Sequence, residues 1–348
     1  MGIVDLTPRS ASSISIRPAQ PEDQEAVAAV VNAHSMDALG TRRALIDHDG
    51  KLRFARYVPS SAERIVAATA DGRVVAFLYL VSQPPYLVHE TGGAVHPDYC
   101  GQGVGTQLLD WAERRARELL PLAPAGVKVV LQSNIFEVDH HARTLLTQAG
   151  YHRMRDWIHL AIEMAEPPPA PIWPEGIIVR LMNQNRDWPA VGDALDEAFT
   201  DHWGEVRLAE SEAPQEEDSE PDASDDEADE EDDPYSNSRD FCFVAMAGDQ
   251  VAGSCLGNAR TIEWPESGKI GSLSVRRPFR RRGLARALTQ HALGEFYRHG
   301  TRRVITDTDA NSFTGADRLY QQVGMTIFRR EHLYEKELRP GTELRNLT

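Results

Sequence analysis

Val275-Arg276-Arg277-Pro278-Phe279-Arg280-Arg281-Arg282-Gly283-Leu284-Ala285-Arg286-Ala287-Leu288 reads as the end of a strand, a tight turn and the start of an amphipathic helix. Leu284, Leu288, Ala292 and Phe296 recur at helical spacing, so the helix continues past the quoted stretch. Gly283 stands where turn becomes helix, and a residue without a Cβ lets a ligand approach the backbone there. A helix N-terminus carries unpaired N–H groups and a partial positive charge. That combination suits phosphate, and the turn is expected to cradle a pyrophosphate.

Around this turn the chain carries one pattern twice. In the first half, 14–18 alternates like a short strand and Pro21-Glu22-Asp23 opens a helix. Residues 35–62 are read as a second helix and a loop over a site. A hairpin over 64–70 and 73–80 turns at Asp71-Gly72. A strand at 91–95 leads into Cys100-Gly101-Gln102-Gly103-Val104-Gly105 and a helix. A strand at 127–132, a helix at 140–149 stopped by Gly150 and a closing strand at 157–162 follow. The second half repeats these as 177–180, 188–199, a hairpin at Gly248-Asp249, 269–275, the quoted turn and helix, 303–308, 315–322 and a closing strand at 332–338. From hairpin glycine to turn glycine is 31 residues for Gly72 to Gly103 and 35 for Gly248 to Gly283, so the two halves keep register.

Five prolines in 166–175 cannot continue a helix or a central strand, so this stretch reads as an extended linker. The expected organisation is a flexible 1–13, an N-terminal domain at 14–165, the linker, and a C-terminal domain at 176–340. The net charge of −16 is concentrated: residues 205–233 hold sixteen acidic side chains and one basic one, Arg207. The segment 205–238 is expected to be a disordered acidic insertion. The remainder is nearly neutral, which excludes a general nucleic-acid binder with a basic face. Three scattered cysteines, Cys100, Cys242 and Cys255, fit a reducing cytoplasm and neither a disulfide framework nor a zinc site. No apolar run is long enough to span a bilayer.

Strand, turn and helix with Arg280-x-x-Gly283-x-Ala285 resembles the acetyl-CoA turn of the GNAT (GCN5-related N-acetyltransferase) superfamily, and Asn311 through Tyr320 to Gly324 looks like that family's downstream segment. The resemblance covers nearly the whole chain as a tandem pair. It implies an α+β fold class, with two GNAT domains, each a mixed, largely antiparallel twisted sheet flanked by helices. It implies acetyl-CoA as acetyl donor, no metal, and a small amine-bearing acceptor, a protein acceptor being the other option. On that resemblance Leu273, Ser274, Val275, Arg280, Arg281, Arg282, Gly283, Leu284, Ala285 and Asn311 would bind acetyl-CoA. A backbone N–H near Val275 would polarise the thioester carbonyl, and Tyr320 would protonate the leaving thiolate. The base stays open: Glu266 is taken first, with Glu263, Asp307, Asp309 and proton loss through water as alternatives. Phe199, His202 and Trp203 lie where the family lines its acceptor pocket.

The first half departs from the pattern. Cys100 replaces the first Arg, and aligning Gly150 with Gly324 places Leu146 at the Tyr320 position. Val95, Gly101, Gly103, Val104 and Gly105 remain a second cofactor site in outline, in a degenerate domain. The resulting expectation is a cytoplasmic N-acetyltransferase, monomer or homodimer, working in its C-terminal domain, with no nucleic-acid or membrane partner. The alternatives are a non-catalytic acyl-CoA-binding or regulatory protein and a mycothiol synthase-like enzyme of thiol biosynthesis. Asp307-x-Asp309-x-Asn311 fails as a calcium loop because Ser312 and Arg318 stand where Gly and Glu are needed.

Overall fold

The structure, a computed structural model, describes residues 14–47, 50–56, 58–206 and 241–347. The N-terminal segment 1–13 and residues 207–238 of the acidic insertion lie outside the described residues. The first run of elements is β1 (Ser15–Pro18), α1 (Gln24–Leu39), β2 (Ala44–Ile46), β3 (Leu52–Phe54), β4 (Glu63–Ala68), β5 (Val74–Ser82), β6 (Val88–Val95), α2 (Val104–Glu118), β7 (Val129–Phe136), α3 (His140–Gln148) and β8 (His152–Glu163). The second is β9 (Ile177–Leu181), α4 (Gln184–Phe199), β10 (Phe243–Ala247), β11 (Gln250–Asn258), β12 (Ser267–Val275), α5 (Leu284–Arg298), β13 (Arg303–Asp309), α6 (Ala316–Gln322) and β14 (Thr326–Arg339).

The chain forms two compact units: Met1–Met154 with Leu333–Thr342, and Arg155–His332 with Glu343–Thr348. In unit 1 the strands run β1, β4, β5, β6, β7 and then residues 333–339 of β14. Only β6 and β7 are paired parallel among the registered neighbours there. In unit 2 residues 326–332 of β14 are followed by β8, β13, β12, β11, β10 and β9, with β12 and β13 parallel. Each sheet is thus mixed and mainly antiparallel.

The closing strands differ from expectation. Residues 155–163 of β8 belong to unit 2, where β8 pairs antiparallel with β13 from Glu163↔Arg303 to Trp157↔Asp309. Residues 333–339 of β14 belong to unit 1. There Arg339 donates to the carbonyls of Leu120 (3.0 Å), Pro124 (2.6 Å) and Val127 (3.0 Å). Gln132 Nε2 donates to Glu335 (3.0 Å), and Lys336 pairs with Glu113 (2.7 Å). Long-range register decides this, and a strand's own residues do not encode it. The helix expected within 35–62 is also absent among the described residues. α1 instead runs on to Leu39 and stops at Gly40 in the left-handed region (φ 70°). Asn32 Oδ1 then accepts from the N–H groups of Arg43 (2.8 Å) and Ala44 (2.9 Å), which pins the β2–β3 ribbon to α1.

Period-2 alternation places a core on each face of each sheet. In unit 1, Val66 and Phe77 face α1 with Val27 and Val30, while Ile65, Leu78 and Leu131 face α2 with Leu108 and Ala112. In unit 2, Val244 and Val251 pack with Val191 and Ala194 of α4. Phe243, Cys255 and Ile270 pack with the Leu284, Leu288, Ala292 and Phe296 stripe of α5. Both units use the same clip between first strand and first helix. Arg17 binds Asp23 (2.6 Å) and Arg180 binds Asp187 (2.5 Å), and each carboxylate also accepts a backbone N–H, from Gln20 and Asn183 respectively. No helix among the described residues is long and apolar enough to cross a membrane.

His89 of β6 is fully buried: its Nδ1 lies 2.7 Å from Ser82 Oγ, its Nε2 has no hydrogen-bond partner among the described residues, and burial lowers its pKa to about 4. The folded pKa lies below the unfolded value of about 6.5, so this contribution to stability is complete above that pH and is lost as pH falls toward the folded pKa. Unit 1 should therefore be less stable at about pH 5 than at pH 7, by at most about 2 kcal/mol. His89→Leu should flatten that acid slope in a pH series of thermal melts, and an unchanged slope would exonerate His89.

Candidate functional site

β12 ends at Val275, and a short turn (Arg277–Phe279) carries the chain to Arg280 in extended geometry. Arg281 and Gly283 then take positive φ values of 62° and 83° before α5 begins. The first closing bond of α5 runs from Ala287 N–H to Gly283 O (3.0 Å). By helix geometry the N–H groups of Leu284, Ala285 and Arg286 have no partner inside the helix. A Cβ built on Gly283 would meet nothing within 4 Å, so the backbone is open on its outer side.

The arginines of the turn divide into two sets. Arg280 donates from Nε to Val275 O and from Nη2 to Ala198 O, both at 3.0 Å, and lies 3.5 Å from Asp201. Arg276 pairs with Glu197 (2.5 Å) and Arg277 with Asp201 (2.6 Å). These three fasten the turn to the end of α4, and Arg276 holds the Glu197 carboxyl below its usual range. Arg281, Arg282 and Arg286 are exposed around the open helix end.

β12 and β13 are registered in parallel only from Ser267↔Arg303 to Lys269↔Ile305. At the next position Thr306 Oγ1 donates to Ile270 O (2.9 Å), a side chain standing in for a ladder bond. Beyond it, the β13-facing edge of β12 through Leu273, Ser274 and Val275 has no ladder partner on β13. A register shift between Leu256 and Gly257 leaves Gly271 as the extra residue of a bulge, which bends the strand where it parts from β13. Ser274 Oγ sits 2.8 Å from Ser254 Oγ, both buried.

Tyr320 of α6 is 5% exposed and belongs to the α5-side core of unit 2. Burial pushes the phenol pKa up, the neighbouring Thr306 side chain opposes this, and Cys255 and Asp307 add to it. Thr306, bonded to the Ile270 carbonyl, thus stands at the fork of the strands with Tyr320 as a neighbour.

The end of α4 and the turn after β13 share an aromatic cluster. The His202 ring packs edge-on against Phe199 (4.4 Å between centroids) and Phe313 (5.9 Å), and the Arg155 guanidinium lies 5.5 Å from the Trp203 ring. Arg155 pairs with Asp309 at the end of β13 (2.7 Å) and donates to Asn311 O (3.2 Å). Asn311 is exposed, with its N–H on Asp309 Oδ1 (2.8 Å). Burial lowers the His202 pKa first and Arg280 next, against opposing pulls from Asp309 and Asp201. The ring thus bridges the end of α4 and the turn after β13.

The chain matches the Acetyltransferase (GNAT) family over residues 34–151 and again over 203–325. It belongs to the GNAT acetyltransferase family. A GCN5-related N-acetyltransferase from Sphaerobacter thermophilus has a solved structure 31% identical to this chain, with a TM-score of 0.70, covering 95% of this chain and 98% of that one. A tandem GNAT protein from the clavulanic acid biosynthesis pathway shares the fold at 18% identity and a TM-score of 0.64, covering 95% of this chain and all of that one. A mycothiol acetyltransferase of Thermobispora bispora is 26% identical over 322 residues, which is 91% of this chain and 97% of the relative. GNAT acetyltransferases use acetyl-CoA, and the chain carries the GNAT domain in tandem.

Most carboxylates that sequence reasoning offered as the GNAT base are engaged in ion pairs. Glu263 pairs with Arg329, Asp307 with Lys269 (2.8 Å) and Asp309 with Arg155. Glu266 is exposed just before β12, four residues from Ile270, or about 13 Å along an extended strand. Thr306, Phe313 and Arg155 escaped the sequence reading; a threonine one step past a parallel pairing was the only available signal. Among the described residues no cluster of His, Cys, Asp and Glu is arranged to hold a metal.

The GNAT turn of unit 1 keeps its backbone form. Gly101 and Gly103 have φ values of 74° and 78°, Gly103 caps α2, and β6 and β7 pair in parallel from Val88↔Val130 to Glu90↔Gln132. Gly105 has a packing reason, since an added Cβ would lie 3.1 Å from Leu145. Cys100 Sγ sits 4.0 Å from Val95 O, the counterpart of the Arg280 contact with Val275. Leu146, at the Tyr320 position, is buried in the core. On the α1 side Phe54 stacks on Phe77 (5.5 Å) and Phe77 contacts Tyr79 (6.4 Å). A Cβ on Gly92 would come within 2.6 Å of the Tyr79 hydroxyl, so aromatic rings cover the face of β6 there. Aligning the turn strands, the matching positions in unit 2 are Ser254 and Leu256.

Proposed function

We propose that unit 2 is an acetyl-CoA-dependent N-acetyltransferase acting on a small primary amine in the cytoplasm. The observation that carries this is the fork of β12 and β13, with an open helix N-terminus at its outer end and the Thr306–Ile270 bond beside Tyr320 at its root. The pyrophosphate would rest on the amides from Arg281 to Ala285, with Arg281, Arg282 and Arg286 supplying charge-assisted contacts. The pantetheine arm would lie along Leu273–Val275, whose N–H groups would receive the developing oxyanion. The amine nitrogen attacks the thioester carbon, the C–S bond breaks, and the departing thiolate takes the Tyr320 proton. Holding both substrates in one cleft supplies much of the rate. The amine would enter past Phe199, His202 and Trp203. His202, its pKa lowered by burial, is neutral at pH 7 and is available to accept the amine proton.

A second reading is favoured by the relatives. Mycothiol acetyltransferases of Thermobispora bispora and Salinispora arenicola match at 26% and 25% identity over most of the chain, which supports a mycothiol-type acceptor. One assay covers both readings. Purified chain and acetyl-CoA are mixed with a sugar amine, a polyamine, an amino acid or the cysteinyl amine precursor of mycothiol, and free CoA thiol is measured. Amine-dependent CoA release is expected. Tight acetyl-CoA binding by calorimetry, with no release for any amine, would instead make the chain an acyl-CoA-binding protein.

A further inference from the structure

We propose that residues 343–347 fasten the acceptor side of the cleft, and that Asn346 is a positioning residue for it. The loop concerned, 201–206, carries His202 and Trp203 and closes few bonds of its own: His202 N–H to Phe199 O (2.7 Å) and Glu205 N–H to His202 O (3.4 Å). Asn346 makes four bonds to it. Its N–H donates to Glu205 O (2.7 Å), and its C=O accepts from Gly204 N–H (2.7 Å). Its Nδ2 donates to two consecutive carbonyls, Asp201 O (2.8 Å) and His202 O (3.2 Å). Val206 and Arg345 extend this as an antiparallel bridge. The Arg345 side chain is buried and held by Glu343 (2.6 Å), so the segment is itself anchored.

The two backbone bonds tie the loop at Gly204 and Glu205 to Asn346. The side-chain bonds set the orientation of the peptides on either side of the His202 Cα, and so the direction in which its ring leaves the backbone. That ring must reach Phe199 at the end of α4 and Phe313 just past β13 at once. One side chain therefore couples a segment remote in sequence to the wall of the cleft. The inference rests on reading that wall as the acceptor side.

Asn346→Asp keeps the shape but replaces the amide donor with a carboxylate oxygen facing two carbonyl oxygens. Asn346→Ala removes the donor without adding charge. Hydrogen exchange of peptide 201–206 in the full chain, and steady-state kinetics with the amine giving the fastest CoA release, are compared with wild type. For Asn346→Asp, amide exchange at Gly204 should rise by about tenfold or more. The KM for the amine should rise by about tenfold, with the KM for acetyl-CoA within about twofold. Asn346→Ala should fall between the two and substitutes if the Asp variant does not fold. Unchanged exchange in both variants overturns the fastening. Faster exchange with an unchanged amine KM overturns the positioning role. Should no amine support turnover in wild type, the acetyltransferase reading fails by itself, and exchange alone decides the fastening.

Discussion

Tyr320→Phe is expected to lower kcat by about 100-fold or more, the range of a lost general acid, while acetyl-CoA affinity stays within about twofold. The substitution removes one atom. The ring remains in the core with Leu284, Leu288 and Met325, and Thr306 keeps its bond to Ile270 O. Loss of the hydroxyl should cost at most about 1.5 kcal/mol of stability, too little to unfold the unit. Burial raises the phenol pKa, so Tyr320 stays protonated through neutral and mildly alkaline pH and remains a proton donor there. Two measurements separate chemistry from binding: CoA release under saturating substrates and calorimetric titration with acetyl-CoA. A thioester with a more acidic leaving thiol should narrow the gap, because a weaker base needs its proton less. An unchanged kcat in a well-folded variant would remove Tyr320 from the reaction.

Features written in local sequence were legible before the fold was known. The Gly283 turn, the α5 stripe and the hairpin glycines depend on neighbours within a few residues, and each was found in place. The two GNAT domains followed from repetition of those local signals. Features set by distant partners were not legible. Six arginines crowd the turn, but only the position of α4 decides that Arg276, Arg277 and Arg280 bond to the α4 end while Arg281, Arg282 and Arg286 lie exposed around the helix start. The carboxylates near the fork looked alike as sequence, and the structure separates them by giving Asp307, Asp309 and Glu263 cationic partners. Thr306 is an ordinary strand residue until β12 parts from β13 beside it. The closing strands could not be assigned because each one's pairing lies far along the chain.

Gly283→Val and Gly300→Val form a matched pair at the two ends of α5. Their φ values are 83° and 87°, and an added Cβ meets nothing within 4 Å at either site. The cost of forcing a branched residue into the left-handed region should therefore be similar, about 1–2 kcal/mol. In a chain of this size that lowers the melting temperature by roughly 2–8 °C. At Gly300 the effect should end there, with the KM for acetyl-CoA within about twofold of wild type. At Gly283 the branch would enter the open space beside the turn, the place proposed for the pyrophosphate. The KM for acetyl-CoA should then rise by about 100-fold or more, equivalent to about 2.7 kcal/mol of lost binding. Because strain is common to both variants, the difference in KM isolates the anion contact. Equal KM values would mean that Gly283 serves the turn's backbone alone and that the phosphate is held elsewhere.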